Sequence, residues 1–372
     1  MRVLHVTSTF PKGPGEGTGP FIADLVAASR RAGIEVRVLA PHAPGVVPME
    51  GVRRFRYGPD RAEVLAYRGG LLAAARGWGA VMVPPFLSAM VAATAVEVRR
   101  WRPDVVHAHW WFPGGLAATT AGRAPVVVTL HGSDVALAHR AAARGAARRV
   151  ARRAGAVMAV SGALAAEATA LLGVPVGVSA MPVVVDPVPP GPRSGLVAVG
   201  RLAPEKGFDV LLDALRITPA PLTLVGTGPL DASLRAQAAG LDVRWSGTVG
   251  RSELHRLLAG ASALVVPSRR EGLGLVAIEA ILLGTPVVAS AVGGLPEALG
   301  AYDLAPPAFG EVVDAPGGLL VPPDHVGALA AALARVRSLA APGPLAVAGA
   351  ERHRPAAVAT HHLALYESVL GA

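Results

Sequence analysis

The sequence predicts an α/β protein built from two doubly wound parallel-sheet halves. Three observations lead there. Short Val-rich runs alternate with Ala-rich runs of helical period along the chain, the order that builds parallel sheets flanked by helices. The Val-rich runs lack clean polar alternation, as strands covered on both faces require. The alternation is interrupted at Asp186-Pro187-Val188-Pro189-Pro190-Gly191-Pro192, where four prolines in seven residues suit neither a helix nor an interior strand. At 372 residues the chain is also longer than a single core usually supports. The expected organisation is residues 1–186, then 193–350, then a terminal helix at 351–372 that packs back on the first domain.

In the first half, strands are expected at Arg2–Ser8, Glu35–Pro41, Asp104–Trp110, Pro125–His131, Ala156–Ser161 and Val178–Val185. Helices are expected at Phe21–Ala32, Leu87–Trp101, Gly114–Ala121, Ala138–Ala154 and Ala163–Leu172. The second half repeats the scheme. Its strands fall at Leu196–Arg201, Leu222–Gly226, Val243–Ser246, Ala263–Pro267 and Pro286–Ser290. Its helices fall at Phe208–Leu215, Asp231–Ala239, Ser252–Ala259, Leu275–Leu283 and Val326–Leu339. In such sheets ligands bind beyond the strand C-termini.

Composition narrows the function. With 52% hydrophobic residues the chain has a core to bury and is not a disordered protein. It has no cysteine, which excludes disulfides, Cys-ligated metals and a thiol nucleophile. The net charge of +9 rests almost wholly on arginine, since Lys12 and Lys206 are the two lysines, and asparagine is absent. That bias matches GC-rich coding, so a surviving lysine is more informative than another arginine. Met1–Thr7 reads as a strand rather than a secretory leader. The apolar window Leu71–Val96 is broken by Arg76, Gly77, Gly79 and Pro84-Pro85 and reads as two buried helices rather than a membrane span.

Two strand-to-helix segments carry the chemistry. In Gly200–Asp209, Arg201 and Lys206 leave a strand end, and Gly207 lets a helix N-terminus approach a ligand. Two cations beside a helix N-terminus suit a diphosphate. In Pro267–Ala280, Gly272 and Gly274 free backbone amides, Glu271 precedes the helix, and Glu279 lies within its apolar run. A carboxylate there needs a partner, and a ribose diol would be one.

These residues sit in a run of motifs that resembles the family 4 retaining glycosyltransferases. The matching pieces are Gly200–Asp209, Leu224–Leu230, Ser246–Val249, the Glu-x7-Glu run Glu271–Glu279, Gly284–Ser290 and Gly293–Glu297. Asp104–Gly115, Val128–Asp134 and the glycine-rich loop Gly13–Gly19 match more loosely. The resemblance covers essentially the whole chain and implies the GT-B fold, two Rossmann-like domains facing a central cleft. It also implies roles for particular residues. Arg201 and Lys206 would neutralise the donor diphosphate. Glu279 would hold the ribose. Glu271, with amides near Leu273, Gly274 and Leu275, would hold the donor sugar. Gly226 and Val249 would line the donor site. His131 would reach the sugar from the opposite lobe. The loop glycines Gly15, Gly17 and Gly19, with His109 and Asp134, would form the acceptor and phosphate side. Leu273 stands where family members usually have Phe, which leaves a backbone role intact.

The implied function is a retaining, metal-independent transfer of a sugar from a UDP-, GDP- or ADP-sugar to an acceptor hydroxyl on a glycan, lipid or small molecule. No resident cofactor is expected, and no Asp-x-Asp occurs to hold a metal. The alternatives are a GT-B-fold isomerase or hydrolase of nucleotide sugars, such as an epimerase, and a non-catalytic sugar-nucleotide binder. His107 and His109 share one strand face and, with His131 and Asp134, make a conceivable zinc site, but a core His107 and a cleft His109 are favoured. Arg140, Arg144, Arg148 and Arg152 recur every four residues, a stripe suited to anionic lipid or to plain solvation. No nucleic-acid reading module accompanies the charge. The expected location is the cytoplasm, with peripheral contact at the inner membrane face.

Overall fold

Seven strands form the first sheet: β1 (Arg2–Val6), β2 (Glu35–Pro41), β3 (Val52–Phe55), β4 (Val105–His109), β5 (Val126–Leu130), β6 (Ala156–Ala159) and β7 (Gly177–Val178). Their order is β3-β2-β1-β4-β5-β6-β7, and every pairing is parallel. The computed structural model describes residues 1–13, 20–63, 65–67, 78–122, 124–189 and 191–371. All residues of β4 and β5 are buried, which is why these strands read as unbroken apolar runs. Helix α1 (Pro20–Arg31) turns Ile22, Leu25, Val26 and Ser29 inward at helical spacing.

Helix α2 (Val83–Trp101) departs from the expectation for the Leu71–Val96 window. It buries Phe86, Met90, Thr94 and Trp101, and Phe86 meets the rings of Phe55 and Tyr57 edge-on. The stretch Gly79–Trp101 is 23 residues long with a mean hydropathy of 1.7, and 22% of its most apolar window is buried. Among the described residues it is the one helix long and apolar enough to cross a membrane. Residues 68–77 lie outside the described residues. The helix expected at Ala138–Ala154 is α4 (Ala141–Arg153); a separate short helix, α3 (Ser133–Ala138), precedes it, and the extended backbone of Arg140 parts the two.

The second sheet holds β8 (Leu196–Val199), β9 (Leu222–Val225), β10 (Val243–Gly247), β11 (Ala263–Val266), β12 (Val287–Ser290), β13 (Val313–Ala315) and β14 (Gly318–Val321), in the order β10-β9-β8-β11-β12-β14-β13. β13 runs antiparallel to β14. Helices α5 (Phe208–Ile217), α6 (Leu275–Leu282) and α7 (Val326–Ala334) follow or flank these strands. Leu211, Leu212 and Leu215 of α5 and Leu329 and Leu333 of α7 join Leu196, Leu224 and Val265 in one core. The expected helix at Val326–Leu339 ends at Ala334, followed by a 3-10 turn at Val336–Ser338.

The chain then returns to the first unit as α8 (Pro355–Leu370), whose Tyr366 is fully buried. The two units are thus Met1–Pro182 with Pro355–Ala372, and Val183–Arg354. The first boundary falls before the proline-rich segment, because that segment's start is tied to the second unit. Val183 N–H donates to His353 O at 2.7 Å. Asp186 N–H donates to His255 Nδ1 at 3.0 Å, and Ser252 Oγ donates to the Asp186 carboxylate at 2.7 Å. The strand expected at Val178–Val185 is accordingly just Gly177–Val178.

Candidate active site

Four loops of the second unit leave the C-terminal ends of the adjacent strands β10, β9, β8 and β11, the edge at which open parallel sheets bind ligands. The loop after β8 carries Arg201 and Lys206 and ends at Gly207, whose φ of +64° starts α5. The loop after β11 carries Glu271 and ends at Gly274, whose φ of +82° starts α6. Gly226 follows β9 and Val249 follows β10. Gly226 packs so closely that a Cβ there would lie 1.9 Å from Gly200 O. Backbone hydrogen bonds from Gly226 N to Gly247 O (2.7 Å), Gly200 N to Val225 O (2.9 Å) and Leu202 N to Thr227 O (3.0 Å) stitch three of these loops together.

The structure brings Lys206 and Glu271 into contact. Lys206 Nζ donates to Glu271 Oε2 at 2.6 Å, and Ser268 Oγ lies 3.4 Å from the same oxygen. Arg201 is exposed. Glu271 is held from behind by Gly293, where a Cβ would sit 1.8 Å from Glu271 O. Leu273 is buried while Leu275 and Glu279 are half-buried. The chain start of α6 leaves its first amides without intrahelical partners, so the backbone at Gly274 and Leu275 can serve hydroxyl or phosphate oxygens.

Arg269 is the residue that sequence reasoning passed over. Its guanidinium grips Asp209 with two bonds of 2.9 and 2.6 Å, donates to Pro204 O at 2.6 Å and pairs with Asp324. Its amide donates to Glu205 O at 2.9 Å. Arg269 therefore locks the Lys206 turn to the Glu271 loop. The hydrogen bond from Arg269 holds the Asp209 carboxyl below its ordinary range, and the same pair pushes Arg269 further up.

In the first unit, His5, His107 and His109 lie side by side on β1 and β4, with His5 in register with His107. All three are completely buried. The cleft placement expected of His109 is therefore corrected: a strand with sheet on both sides and helices on both faces leaves it no access to solvent. His109 Nε2 is 3.0 Å from His5 Nδ1, and its Nδ1 is 3.1 Å from His131 Nε2. His107 bonds Tyr366 OH and Thr129 Oγ1, each at 2.8 Å. The nitrogens of His5, His107 and His109 lie within 4.8 Å of one another, close enough for a metal. Five of those six nitrogens, however, are engaged in the hydrogen bonds just given.

His131 itself is half-buried at the end of β5, between Trp110 (4.7 Å between ring centres) and Phe21 (5.2 Å). Asp134 is buried behind it. Its Oδ1 accepts from the His131 and Gly132 amides, both at 3.0 Å, and its Oδ2 accepts from the Trp111 amide at 3.1 Å. Burial raises its pKa to about 6, against those hydrogen bonds. Asp134 thus shapes the His131 loop and the Trp111 loop from inside. Gly15, Gly17 and Gly19 lie outside the described residues. The arginine stripe is not one uniform row: Arg140, Arg148 and Arg152 are exposed, but Arg144 is half-buried and donates to His139 O, and Arg148 Nε donates to Leu171 O.

The molecule thus has two α/β units on largely parallel seven-stranded sheets, the second with a cation and a carboxylate joined at its strand C-termini. Comparison with known proteins supplies the family. Residues 193–338 match the family described as glycosyl transferases group 1, and residues 16–191 match the glycosyl transferase 4-like domain. The glycogen synthase of Mycobacterium tuberculosis is 31% identical over 90% of this chain and 86% of its own. Among solved structures, sucrose-phosphate synthase from Thermosynechococcus elongatus covers both chains completely with a TM-score of 0.77 at 22% identity. Anabaena HepE in complex with UDP-glucose aligns over 99% of this chain and 100% of its own, with a TM-score of 0.71 at 19% identity. The chain belongs to the group 1 glycosyltransferases of family 4 and is a transferase of the GT-B fold. The names of its relatives favour transfer over the isomerase alternative.

Proposed function

We propose that the protein transfers a sugar from a nucleoside-diphosphate sugar to an acceptor hydroxyl with retention at the anomeric carbon and without a resident metal. The observation that carries this reading is the Lys206–Glu271 pair at adjacent strand ends. On donor binding, Lys206 turns to the diphosphate and Glu271 to the sugar hydroxyls. Arg201 adds a second positive charge, and the N-termini of α5 and α6 add oriented amides. Such fixed charges stabilise the departing nucleotide as its negative charge develops. They do the electrostatic work that an Asp-x-Asp-bound metal does elsewhere. Glu279 takes the ribose, and Gly226 and Val249 border the nucleotide. His131 and the loop at residues 13–19 belong to the sugar and acceptor side.

In the step itself, the acceptor oxygen bonds to the anomeric carbon on the face the leaving group departs. The bond from that carbon to the diphosphate oxygen breaks, and the acceptor proton passes to the departing phosphate. No protein carboxylate is needed as a nucleophile. The UDP-glucose held by the HepE neighbour makes a UDP-sugar the first donor to try. The reading places the enzyme in the cytoplasm. The exposed arginines of α4 would meet anionic headgroups around a lipid-linked acceptor, which cosedimentation with phosphatidylglycerol vesicles tests.

Thermal-shift binding of UDP, GDP, ADP and their glucose conjugates, with and without EDTA, tests the core of the reading. Stabilisation by one nucleotide that EDTA leaves unchanged supports it. No shift with any nucleotide, or an EDTA-sensitive one, refutes it. An inverted anomeric centre in the product refutes retention.

A further inference from the structure

The first unit contains a chain of three imidazoles, His5–His109–His131, that begins at a sealed end and finishes at a half-buried one. The links are 3.0 Å from His5 Nδ1 to His109 Nε2 and 3.1 Å from His109 Nδ1 to His131 Nε2. A neutral imidazole carries one N–H and one lone pair. Each link needs one of each, so placing the proton on one ring fixes it on all three. Burial keeps the rings neutral by lowering their affinity for a second proton.

Two polarities satisfy both links, and they differ at the two ends. The sealed end is His5 Nε2, which is buried and has no hydrogen-bond partner among the described residues. If Nε2 held the proton, an N–H would be shut away from every acceptor, the rarer kind of buried orphan. With the lone pair there instead, His5 Nδ1–H donates to His109 Nε2, and His109 Nδ1–H donates to His131 Nε2. The proton of His131 then sits on Nδ1. That nitrogen makes no hydrogen bond among the described residues and is not among the sealed atoms, so its N–H points to where water or a ligand can accept it.

His109 stacks on His107 at 4.6 Å and on His5 at 5.3 Å, which braces its ring in the orientation that makes both links. His107 cannot compete for the chain, because Tyr366 and Thr129 engage both its nitrogens.

We propose that His5 and His109 are positioning residues that lock His131 in its Nδ1–H form, so that it meets a bound sugar as a hydrogen-bond donor and not as a base. The sugar contact rests on the proposed function; the tautomer does not. A donor-only His131 agrees with a reaction in which the leaving phosphate takes the acceptor proton.

The test is 15N NMR of the full chain labelled at the histidine rings, with His131 assigned by the signals missing from His131→Gln. The expected spectrum shows a pyrrole-type Nδ1 and a pyridine-type Nε2 on His131. In His109→Phe, which removes the donor to His131 Nε2, the His131 signals move toward the average of the two tautomers. A pyridine-type Nδ1 in the unsubstituted protein overturns the proposal, as does a folded His109→Phe with unchanged His131 signals. Should His109→Phe fail to fold, the unsubstituted spectrum decides alone. Full donor affinity and turnover in His131→Gln would overturn the sugar contact while leaving the tautomer standing.

Discussion

Lys206 Nζ and Glu271 Oε2 lie 2.6 Å apart, joining two loops that leave neighbouring strands. On the proposed function this one contact joins the residue for the diphosphate to the residue for the sugar, so its two members should respond differently to substitution. Lys206→Ala removes a charged donor to the diphosphate, worth about 1.5–3 kcal/mol, and should weaken nucleoside-diphosphate binding roughly 10- to 100-fold. Glu271→Gln frees Lys206, so affinity for the bare diphosphate should hold or rise while sugar transfer collapses. Isothermal titration and a transfer assay separate the two; parallel losses of diphosphate affinity would contradict the assignment.

Gly293 gives a backbone test of the same loop. Its φ is +53°, and an added Cβ would fall 1.8 Å from Glu271 O. Gly293→Ala should displace Glu271 and lower donor affinity at least tenfold. Gly240→Ala is the control, since its φ of +81° carries the same penalty but nothing lies within 4 Å. It should cost about 1–2 kcal/mol of stability and leave donor binding intact. Equal binding losses in both would point to general strain.

Arg269→Ala should uncouple the Lys206 turn from the Glu271 loop. The pair with Asp209 is partly exposed, so its stability cost is modest, about 1 kcal/mol. The folded Asp209 carboxyl is held below its ordinary 3.8 mainly by the Arg269 hydrogen bond. That contribution is present above 3.8 and is lost as pH falls through the lower folded value. Chemical denaturation should show that Arg269→Ala removes this part of the acid sensitivity. Donor affinity should fall with it, because the Lys206 turn is no longer pinned.

Acid should unfold the first unit from a higher pH than carboxylates alone would. Burial lowers the pKa of His5 to about 3 and of His362 to about 4, and holds His107, His109 and His131 below the ordinary 6.5 as well. Unfolded, each histidine takes up a proton as pH drops through 6.5; folded, it does not. The unfolded chain then binds more protons, so stability rises with pH across this window. The contribution is complete above 6.5 and drains toward pH 3–4, at about 1.4 kcal/mol per histidine per pH unit. Asp134, raised from 3.8 to about 6, acts oppositely, losing its contribution as pH rises between those values. One group does not offset five. Urea midpoints at about pH 7.5 and about pH 5 should differ sharply, and a flat profile would refute this.

Much of this was legible in the residues. Valine runs without polar alternation marked the buried strands, and β2 begins and ends where they placed it. The Arg201, Lys206, Glu271 and Glu279 segments were legible because glycines, charges and strand ends coincide. What stayed hidden was pairing across the sheet. β3 escaped notice because Arg53 and Arg54 sit in a four-residue edge strand, and charged edges are how sheets avoid unwanted pairing. β13 and β14 are three and four residues long, too short for any period to show. His5 gave no signal alone, since its meaning comes from lying opposite His107. Arg269 was lost among many arginines, and just its contacts single it out.

The return of α8 to the first unit changes what kind of object the second unit is. Topologically it is an insertion, entered after Pro182 and left before Pro355. His107 takes its hydrogen bond from Tyr366, 259 positions later. During synthesis the first unit therefore waits, Nδ1 of its central histidine without its partner, until the ribosome has finished the entire second unit. Nascent chains halted before Pro355 should carry a folded second unit beside a protease-sensitive first one, reversing the usual order in which the N-terminal part folds first.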